Sequence, residues 1–479
     1  MHEPNFVVVV TDDQGAWARG RLMPELITPT LDHLGRTGLE LENFFCASPV
    51  CSPARASLLT GRMPSAHGVH DWIRSENSGV DTSGVRYLDG LTTTPEVLAA
   101  HGYACGYSGK WHLGDARTPA PGFDEWFAHR DGGGPYYGAP VVERGIERTE
   151  PGYVTDAITD HAVDALRRLS AGDAPFYLQV AYTAPHTPWT EDNHPAELLD
   201  LYEGCDFRSV PREGPHPWFT HDDPELSAAQ SDPAPALRGY CAALTAVDRG
   251  VARLLDVLDE ADVRASTYVV FTSDNGFSCG HHGYWGKGNG TRPLNVWDPS
   301  IRVPFVINRP GTIAPALDDT PTSAVSLHPT LLDLAGVPVP RDDLAAGESF
   351  APRVLGTEPA PEAPAQVVVH DEYGGTRMIR TRTHKYVWRY DGPAELYDLV
   401  TDPGEQHNLA DDPTHGGVRG TLHARLLDWF ARRTTPDRDA LMRAVTGWGQ
   451  DAPVQRGLDD RRTYATSGPV PAARPEARP

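Results

Sequence analysis

Long hydrophobic runs are missing from this sequence of 479 residues. A helix that crosses a bilayer needs about 20 consecutive apolar residues, and the first apolar run, residues 6–10, is far shorter. The residues before it contain no lysine or arginine, so the basic and long apolar segments of a secretory signal peptide are also missing. We therefore expect a cytoplasmic protein with no membrane interaction.

Cysteine is scarce as well, and the six cysteines include no CxxC pair. Without a secretory context, such residues are expected to be free thiols, most of them buried. The six are Cys46, Cys51, Cys105, Cys205, Cys241 and Cys279. Cys51 is an exception because of the residues that follow it.

Basic residues are fewer than acidic residues. The chain has 42 lysine and arginine residues against 65 aspartate and glutamate residues, a net charge of −23. This charge repels nucleic acids and anionic membranes, so neither is expected as a partner. It also repels an anionic substrate, which would need a local pocket of positive charge.

Short apolar runs alternate with amphipathic segments over most of the chain. This alternation predicts a mostly parallel sheet with helices on both faces, an α/β fold. The predicted strands are residues 6–10, 103–108, 176–181 and 268–272. The predicted helices are residues 94–100, 155–170 and 237–258.

Three regions are predicted: a catalytic domain at 1–360, a smaller α+β subdomain at 361–435 and a tail at 436–479. A stretch rich in proline, alanine and glutamate at 351–365 is interpreted as a linker or a long connection. The subdomain should contain an antiparallel sheet and one amphipathic helix, formed by residues 366–370, 376–381, 385–390 and 421–430. The tail is polar and rich in proline and arginine, and could be an arm onto a partner subunit in a homo-oligomer.

Polar residues follow each of the four predicted strands. They are Asp12 and Asp13, Lys110 and His112, His186, and Asp274 and Asn275. Ligands of open α/β sheets bind beyond the carboxyl ends of the strands, so these side chains are expected to form one site. The carboxylate and amide oxygens suit Ca²⁺ or Mg²⁺ better than zinc, and calcium is our preferred interpretation. The lysine and the two histidines would surround a tetrahedral oxyanion held by the metal.

Residues 51–62 carry the most specific pattern in the chain. Pro53 suits the first turn of a helix, which would place Cys51 at the helix N-terminus, where backbone N–H groups favour an anion. Arg55 lies one turn further on, within reach of the nucleophile and of an oxyanion.

Cys-Ser-Pro-Ala-Arg at 51–55 followed by Thr-Gly-Arg at 60–62 resembles the type I sulfatase signature. Further motifs similar to that family follow in the same order over nearly the whole chain. They are Gly-Lys-Trp-His-Leu-Gly at 109–114, Pro-His-Thr-Pro at 185–188, Ser-Asp-Asn-Gly at 273–276, His-Gly-Tyr-Trp-Gly-Lys-Gly at 282–288, Ser-Ile-Arg-Val-Pro at 300–304 and Ala-Glu-Leu-Tyr-Asp-Leu at 394–399.

The resemblance implies an alkaline-phosphatase-like α/β/α sandwich with a large mixed, mostly parallel sheet. It also implies that a formylglycine-generating enzyme oxidises Cys51 to Cα-formylglycine, whose hydrate is the nucleophile. The implied metal ligands are Asp12, Asp13, Asp274, Asn275 and the modified Cys51. The other implied catalytic residues are Arg55 at the nucleophile, Lys110 and Lys287 on the sulfate oxygens, His112 as the group that orients the hydrate and later takes its proton, and His186 as proton donor to the leaving alcohol.

Other residues near the predicted site are candidates for substrate contact, although loop packing or a core position explains each of them as well. They are His70, Asp71, Trp72, Trp189, His281, His282 and Arg292. Trp189 could also form an aromatic rim with Trp285, Tyr136 and Tyr137, although aromatic residues more often lie in the core.

The expected function is hydrolysis of a sulfate monoester, with a sulfated saccharide or small molecule as substrate. A phosphonate monoester or phosphodiester hydrolase of the same superfamily remains an alternative, because such enzymes share the Cys-derived nucleophile. A metal-dependent binder of sulfated ligands without catalysis is the alternative from another class. The sequence leaves open whether the substrate is an aryl, carbohydrate or alkyl sulfate.

Overall fold

The computed structural model describes residues 3–74, 84–219, 223–357, 365–371, 375–454 and 460–466. In chain order, the strands are β1 (Asn5–Thr11), β2 (Leu39–Leu41), β3 (Phe44–Phe45), β4 (Ala104–Lys110), β5 (Glu125–His129), β6 (Ala139–Glu143), β7 (Ile146–Glu150), β8 (Phe176–Ala181), β9 (Thr267–Ser273), β10 (Ser278–Cys279), β11 (Trp285–Gly286), β12 (Arg302–Val303), β13 (Phe305–Asn308), β14 (Ala316–Asp318), β15 (Thr322–Ser323), β16 (Val367–His370), β17 (Thr376–Arg380), β18 (His384–Arg389) and β19 (Glu395–Asp398).

The α-helices of the described residues are α1 (Pro29–Thr37), α2 (Cys51–Thr60), α3 (Pro64–His67), α4 (Thr94–Ala100), α5 (Val154–Ser170), α6 (Ala196–Leu199), α7 (Pro224–Ser231), α8 (Pro233–Glu260), α9 (Asp298–Ile301), α10 (Leu327–Leu334), α11 (Ala351–Val354), α12 (Gly416–Arg433) and α13 (Asp460–Thr463). The strands and helices predicted from the sequence are therefore confirmed within a few residues at their ends.

A ten-stranded sheet organises the molecule, with strand order β14-β2-β13-β9-β1-β8-β4-β5-β6-β7. The four predicted strands β9, β1, β8 and β4 lie side by side in its centre and are parallel. Antiparallel pairs occur on either side of this parallel core, at β13 with β9 and at β5 with β6. The predicted mixed, mostly parallel sheet is confirmed.

Both faces of β1 are buried because its side chains alternate between two cores. Phe6, Val8 and Val10 pack into one core, which also receives residues of α2, α4 and α10. Val7 and Val9 point into the other, which contains the apolar stripes of α5 and α8. A strand that is apolar on both faces is typical of a parallel sheet covered by helices on both sides.

The C-terminal subdomain consists of the antiparallel sheet β16-β17-β18-β19 and helix α12, which share a smaller core. A buried ion cluster joins this subdomain to the N-terminus of α9. Lys385 on β18 lies 3.1 Å from Asp298 and 2.5 Å from Glu405. All three side chains are less than a tenth exposed.

Two expectations about the second half of the chain need correction. Residues 351–354 of the expected linker form α11, whose Ala351 and Val354 belong to the main core; residues 358–364 lie outside the described part. The described part of the tail, residues 436–454 and 460–466, is not a free arm: Gln450, for example, is fully buried against Gly68 and His70 of the same chain. All six cysteines are free thiols, five of them buried.

Among the helices that the structure describes, none is both long and apolar enough to cross a bilayer.

Replacing Lys385 with methionine tests the importance of the buried ion cluster. The substitution leaves the Asp298 and Glu405 carboxylates buried without their shared cation, and we expect the free energy of unfolding to fall by about 3–5 kcal/mol. Urea unfolding measures this change. Arg382→Ala is the control, since Arg382 pairs with Asp319 on the surface and its removal should cost at most about 1 kcal/mol. Equal losses in the two variants would contradict the prediction.

Candidate active site

The carboxyl ends of the central strands bring the predicted polar residues together. Thr11 of β1 pairs with Ser273 of β9, so Asp12 and Asp274 occupy equivalent positions one residue further on. The Asp274 N–H donates to the Thr11 carbonyl and the Asp12 N–H to the Ala184 carbonyl, both at 3.1 Å. These bonds fix the chain at the point where it leaves the sheet.

Three carboxylates form the centre of the site. Asp12, Asp13 and Asp274 each place an oxygen within 4.8 Å of the others, and none of the three is more than 1% exposed. Asp13 adopts a left-handed backbone conformation with φ 63°. Burial and the neighbouring Asp12 raise the pKa of Asp274 to about 7 despite the opposing effect of Arg55. This crowding of acidic groups favours a bound cation.

Three cationic side chains offset these carboxylates, one for each. Arg55 Nε lies 2.8 Å from Asp274 Oδ2, Lys287 Nζ lies 2.7 Å from Asp13 Oδ1, and Lys110 pairs directly with Asp12. Burial alone would raise the pKa of Asp12, but these cations, Lys110 foremost, hold it well below its usual range. The cluster is formally neutral, so a bound divalent cation would make it positive and attract an anion.

Asn275 offers the clearest sign of a metal site. Its Nδ2 donates to Asp13 Oδ1 at 2.7 Å and to the Gly276 carbonyl at 2.9 Å. The Asn275 Oδ1 is buried and accepts no hydrogen bond from any described residue. A buried acceptor without a partner costs free energy, and together with the carboxylates it forms an all-oxygen donor set that fits a hard cation. Asp12, Asp13, Asp274 and Asn275 could therefore hold Ca²⁺ or Mg²⁺.

Cys51 is the first residue of α2, as predicted, and lies beside this cluster. Its thiol donates to Asp12 Oδ1 at 3.3 Å, and Lys287 Nζ donates to its Sγ at 2.9 Å. Burial, reinforced by the Asp12 carboxylate, raises the pKa of the thiol to about 12. The unmodified residue is consequently protonated at neutral pH and is a poor thiolate nucleophile.

The tautomer of each of the two site histidines is defined, because one nitrogen of each ring faces a carbonyl oxygen. His112 Nε2 donates to the Ile73 carbonyl at 2.8 Å, and His186 Nδ1 donates to the Thr187 carbonyl at 2.9 Å. His186 Nε2 lies 3.6 Å from Asp13 Oδ2, and its side chain is a quarter exposed. Burial lowers the pKa of both imidazoles, that of His112 furthest.

A run of glycines, Gly132-Gly133-Gly134, was missed as part of the site. It follows β5, and a Cβ at Gly132 would collide with the His112 ring, while one at Gly133 would lie 2.8 Å from His186 Cε1. Only glycine leaves room for the two rings at these positions. Three consecutive glycines were the signal in the sequence that could have identified it.

The segment after α3 does not meet the expectation of substrate contact. His70 and Asp71 are fully buried, and their partners lie in the C-terminal segment. His70 Nδ1 bonds the Tyr464 hydroxyl at 2.5 Å, and Asp71 Oδ2 accepts from the Gly449 N–H at 3.1 Å. Trp72 is half-buried, and its carbonyl accepts from the Gln450 N–H. These contacts give His70 and Asp71 a structural role.

The expected aromatic rim is also corrected. Trp189, Trp285 and Tyr136 are at most 2% exposed and belong to the cores, whereas Tyr137 is 38% exposed.

The remaining three candidates are held by neighbouring groups. His281 contacts the Trp17 ring, His282 stacks in parallel on Trp297 with 4.6 Å between ring centroids, and Arg292 donates to the Asn289 and Thr291 carbonyls.

Comparison with known proteins identifies the family. A sequence model of the sulfatase family matches residues 4–337, and one for the C-terminal part of N-sulphoglucosamine sulphohydrolase matches residues 280–432. An ulvan-active sulfatase from Formosa agariphila is 30% identical over 88% of this chain and 80% of its own. The chain belongs to the sulfatase family. This sulfatase is therefore an enzyme that hydrolyses sulfate esters.

Solved structures agree with the fold of the sulfatase. One, in complex with D-glucosamine-2-N,6-O-disulfate, has a TM-score of 0.74 at 24% identity and covers 91% of this chain and 99% of its own. A phosphonate monoester hydrolase of Agrobacterium radiobacter has a TM-score of 0.65 at 22% identity, covering 90% and 96%. The alkaline-phosphatase-like fold is thus common to both chemistries.

Gly132→Ala tests the fit of His112. The added methyl group must displace the ring, and we expect kcat to fall by about 100-fold because small displacements of a catalytic group have effects of this size. Gly214→Ala is the matched control, since a Cβ there meets nothing within 4 Å. Steady-state kinetics on p-nitrophenyl sulfate measures both variants. Unchanged kcat in folded Gly132→Ala protein would show that the ring position is not critical.

Proposed function

We propose that this sulfatase cleaves sulfate monoesters of carbohydrates, with a Cα-formylglycine formed from Cys51 as its nucleophile and Ca²⁺ as its metal. One observation carries this proposal: the Cys51 side chain touches both Asp12, in the acidic cluster, and Lys287, a buried cation. A nucleophile at this position lies beside both a metal-type oxygen and a group that attracts the sulfate.

Conversion of Cys51 by a formylglycine-generating enzyme is proposed from its place at the start of α2, within the Cys-Ser-Pro-Ala-Arg motif that resembles the sulfatase signature. The bound cation would supply a Lewis acid that polarises the sulfate oxygens, and the formylglycine hydrate would supply an oxygen nucleophile. Arg55 donates from Nε to Asp274 Oδ2 and from Nη1 to the Lys110 carbonyl, both at 2.8 Å. It therefore links the helix that starts with Cys51 to the end of β4.

Lys110 and Lys287 provide the local positive charge that the global charge of −23 requires for an anionic substrate. Burial disfavours the charge on Lys287, but Asp13 and its neighbours raise the pKa of this lysine well above its usual value. Lys287 thus stays positively charged, and Lys110 and Lys287 would together hold the sulfate oxygens. His186 donates from Nδ1 to the Thr187 carbonyl, so Nε2 is the nitrogen that would first take up a proton and then pass it to the leaving alcohol.

The carbohydrate substrate class rests on the Formosa agariphila relative, whose name states activity on ulvan. Aryl sulfates are expected as small surrogate substrates, because the proposed chemistry acts on the sulfate group and not on the alcohol.

The proposed nucleophile predicts a modified residue 51. In protein coexpressed with a formylglycine-generating enzyme, mass spectrometry of the peptide containing Cys51 should find the aldehyde. Cys51→Ala should lower kcat by about four orders of magnitude or more while the protein stays folded.

Two outcomes would contradict this part of the proposal. Full activity of protein whose residue 51 is an unmodified thiol would exclude formylglycine as the nucleophile. Faster turnover of phosphonate monoesters than of p-nitrophenyl sulfate would favour the phosphonate hydrolase alternative.

The proposed metal predicts that chelation abolishes activity and that Ca²⁺ restores it at lower concentrations than Mg²⁺. Calcium binding should also stabilise the fold by RT ln(1 + [Ca²⁺]/Kd), about 2.7 kcal/mol at a hundredfold excess over Kd. Thermal unfolding with and without calcium measures this independently of activity. Asn275→Ala should lose most of the calcium-dependent stabilisation, and its full retention would contradict the assignment of Asn275 as a ligand.

A further inference from the structure

The segment that follows α12 is anchored to the catalytic domain by one buried glutamine. Gln450 is fully buried, and burial of an amide is costly unless its hydrogen bonds are satisfied. Its Nε2 donates to the Gly68 and Ala452 carbonyls at 2.9 and 3.0 Å. Its Oε1 accepts from the backbone N–H groups of His70 and Asp71 at 2.8 and 3.4 Å.

The backbone of Gln450 extends this contact. Its N–H donates to the Trp72 carbonyl at 2.8 Å, and Gln450 forms a parallel bridge with Ile73. The Tyr87 hydroxyl donates to the Gln450 carbonyl at 3.0 Å. The Tyr464 hydroxyl on His70 adds a second anchor from the same segment. Hydrogen bonds to the C-terminal segment therefore hold residues 70–73 in place.

Ile73 connects residues 70–73 to the active site. Its N–H donates to Ser52 Oγ at 3.1 Å, next to Cys51, and its carbonyl accepts from His112 Nε2 at 2.8 Å. Because a carbonyl oxygen only accepts, the His112 ring must carry its hydrogen on Nε2. Its Nδ1 is then the basic nitrogen, and it is buried with no hydrogen-bond partner among the described residues.

We propose that the C-terminal segment is a positioning element for catalysis: through Gln450 and the Ile73 carbonyl, it holds His112 in the Nε2–H tautomer with Nδ1 available as the proton acceptor. The segment lies beyond both family models, which end at residues 337 and 432. The role of Nδ1 as acceptor rests on the proposed function, whereas the tautomer and its dependence on Gln450 do not. His112 is the catalytic residue, and Gln450 acts through it.

The wrong tautomer would present an N–H where a lone pair is needed. Loss of the Gln450 contacts would free the Ile73 carbonyl and let the His112 ring populate both tautomers. This would lower kcat, whereas the positions of the lysines that hold the substrate would not change. The expected signature is a loss in kcat with little change in KM.

Gln450→Ala in the full-length, matured protein tests this inference. Selective ¹⁵N-histidine labelling, with the His112 signals identified by their loss in His112→Asn, reports the tautomer directly. In the matured wild-type protein we expect a single Nε2–H tautomer. In Gln450→Ala we expect a mixture, a fall in kcat of about tenfold and a change in KM below about twofold.

Gln366→Ala is the matched control, since Gln366 is a half-buried glutamine that accepts from Arg425 on α12, within the C-terminal subdomain. It should change neither the tautomer nor kcat. Tyr464→Phe removes only the hydroxyl on His70 and should shift the tautomer in the same direction by a smaller amount, so the test remains available if Gln450→Ala does not fold.

A pure Nε2–H tautomer with unchanged kcat in Gln450→Ala would overturn the inference. If only Tyr464→Phe folds, the same result in that variant would overturn it. An equal tautomer shift in the control Gln366→Ala would also overturn it. If the protein lacked sulfatase activity altogether, the tautomer measurement would still decide the positioning claim. Failure of this inference and failure of the proposed function are thus distinguishable.

Discussion

Three carboxylates, Asp12, Asp13 and Asp274, lie almost fully buried at one edge of the sheet, and their mutual repulsion is the constraint on which the site depends. Each has its own cation, from α2, β4 or the loop after β11. Removing one partner from such a buried pair is strongly destabilising. The pairing therefore requires these separate parts of the chain to converge at this edge of the sheet.

The environment of the three carboxylates also affects the reactivity of the Cys51 thiol. Burial and the Asp12 carboxylate keep Cys51 protonated, so this position is unfavourable for a thiolate. It is favourable for an oxygen nucleophile beside a hard cation, because carboxylates and hydroxyl oxygens are the ligands that such a cation prefers.

The centre of the fold and the polar strand ends could be predicted from the sequence because they depend on local patterns. The run at residues 6–10 is apolar throughout, as a strand buried on both faces must be, and Asp12 and Asp13 follow it directly. The sequence could not predict that Gln450 lies against residues 68–73, since that contact joins parts of the chain hundreds of residues apart. His70 and Asp71 were misinterpreted for the same reason: their partners, Tyr464 and Gly449, are unrecognisable without the tertiary structure.

The most direct test of the account is a crystal structure of the matured, active protein with anomalous diffraction collected at a wavelength where calcium scatters strongly. The account predicts an anomalous peak coordinated by Asp12, Asp13, Asp274 and Asn275, with residue 51 beside it as an aldehyde or its hydrate. An active protein with no ion among these four residues, or with an intact cysteine sulfur at position 51, would contradict it.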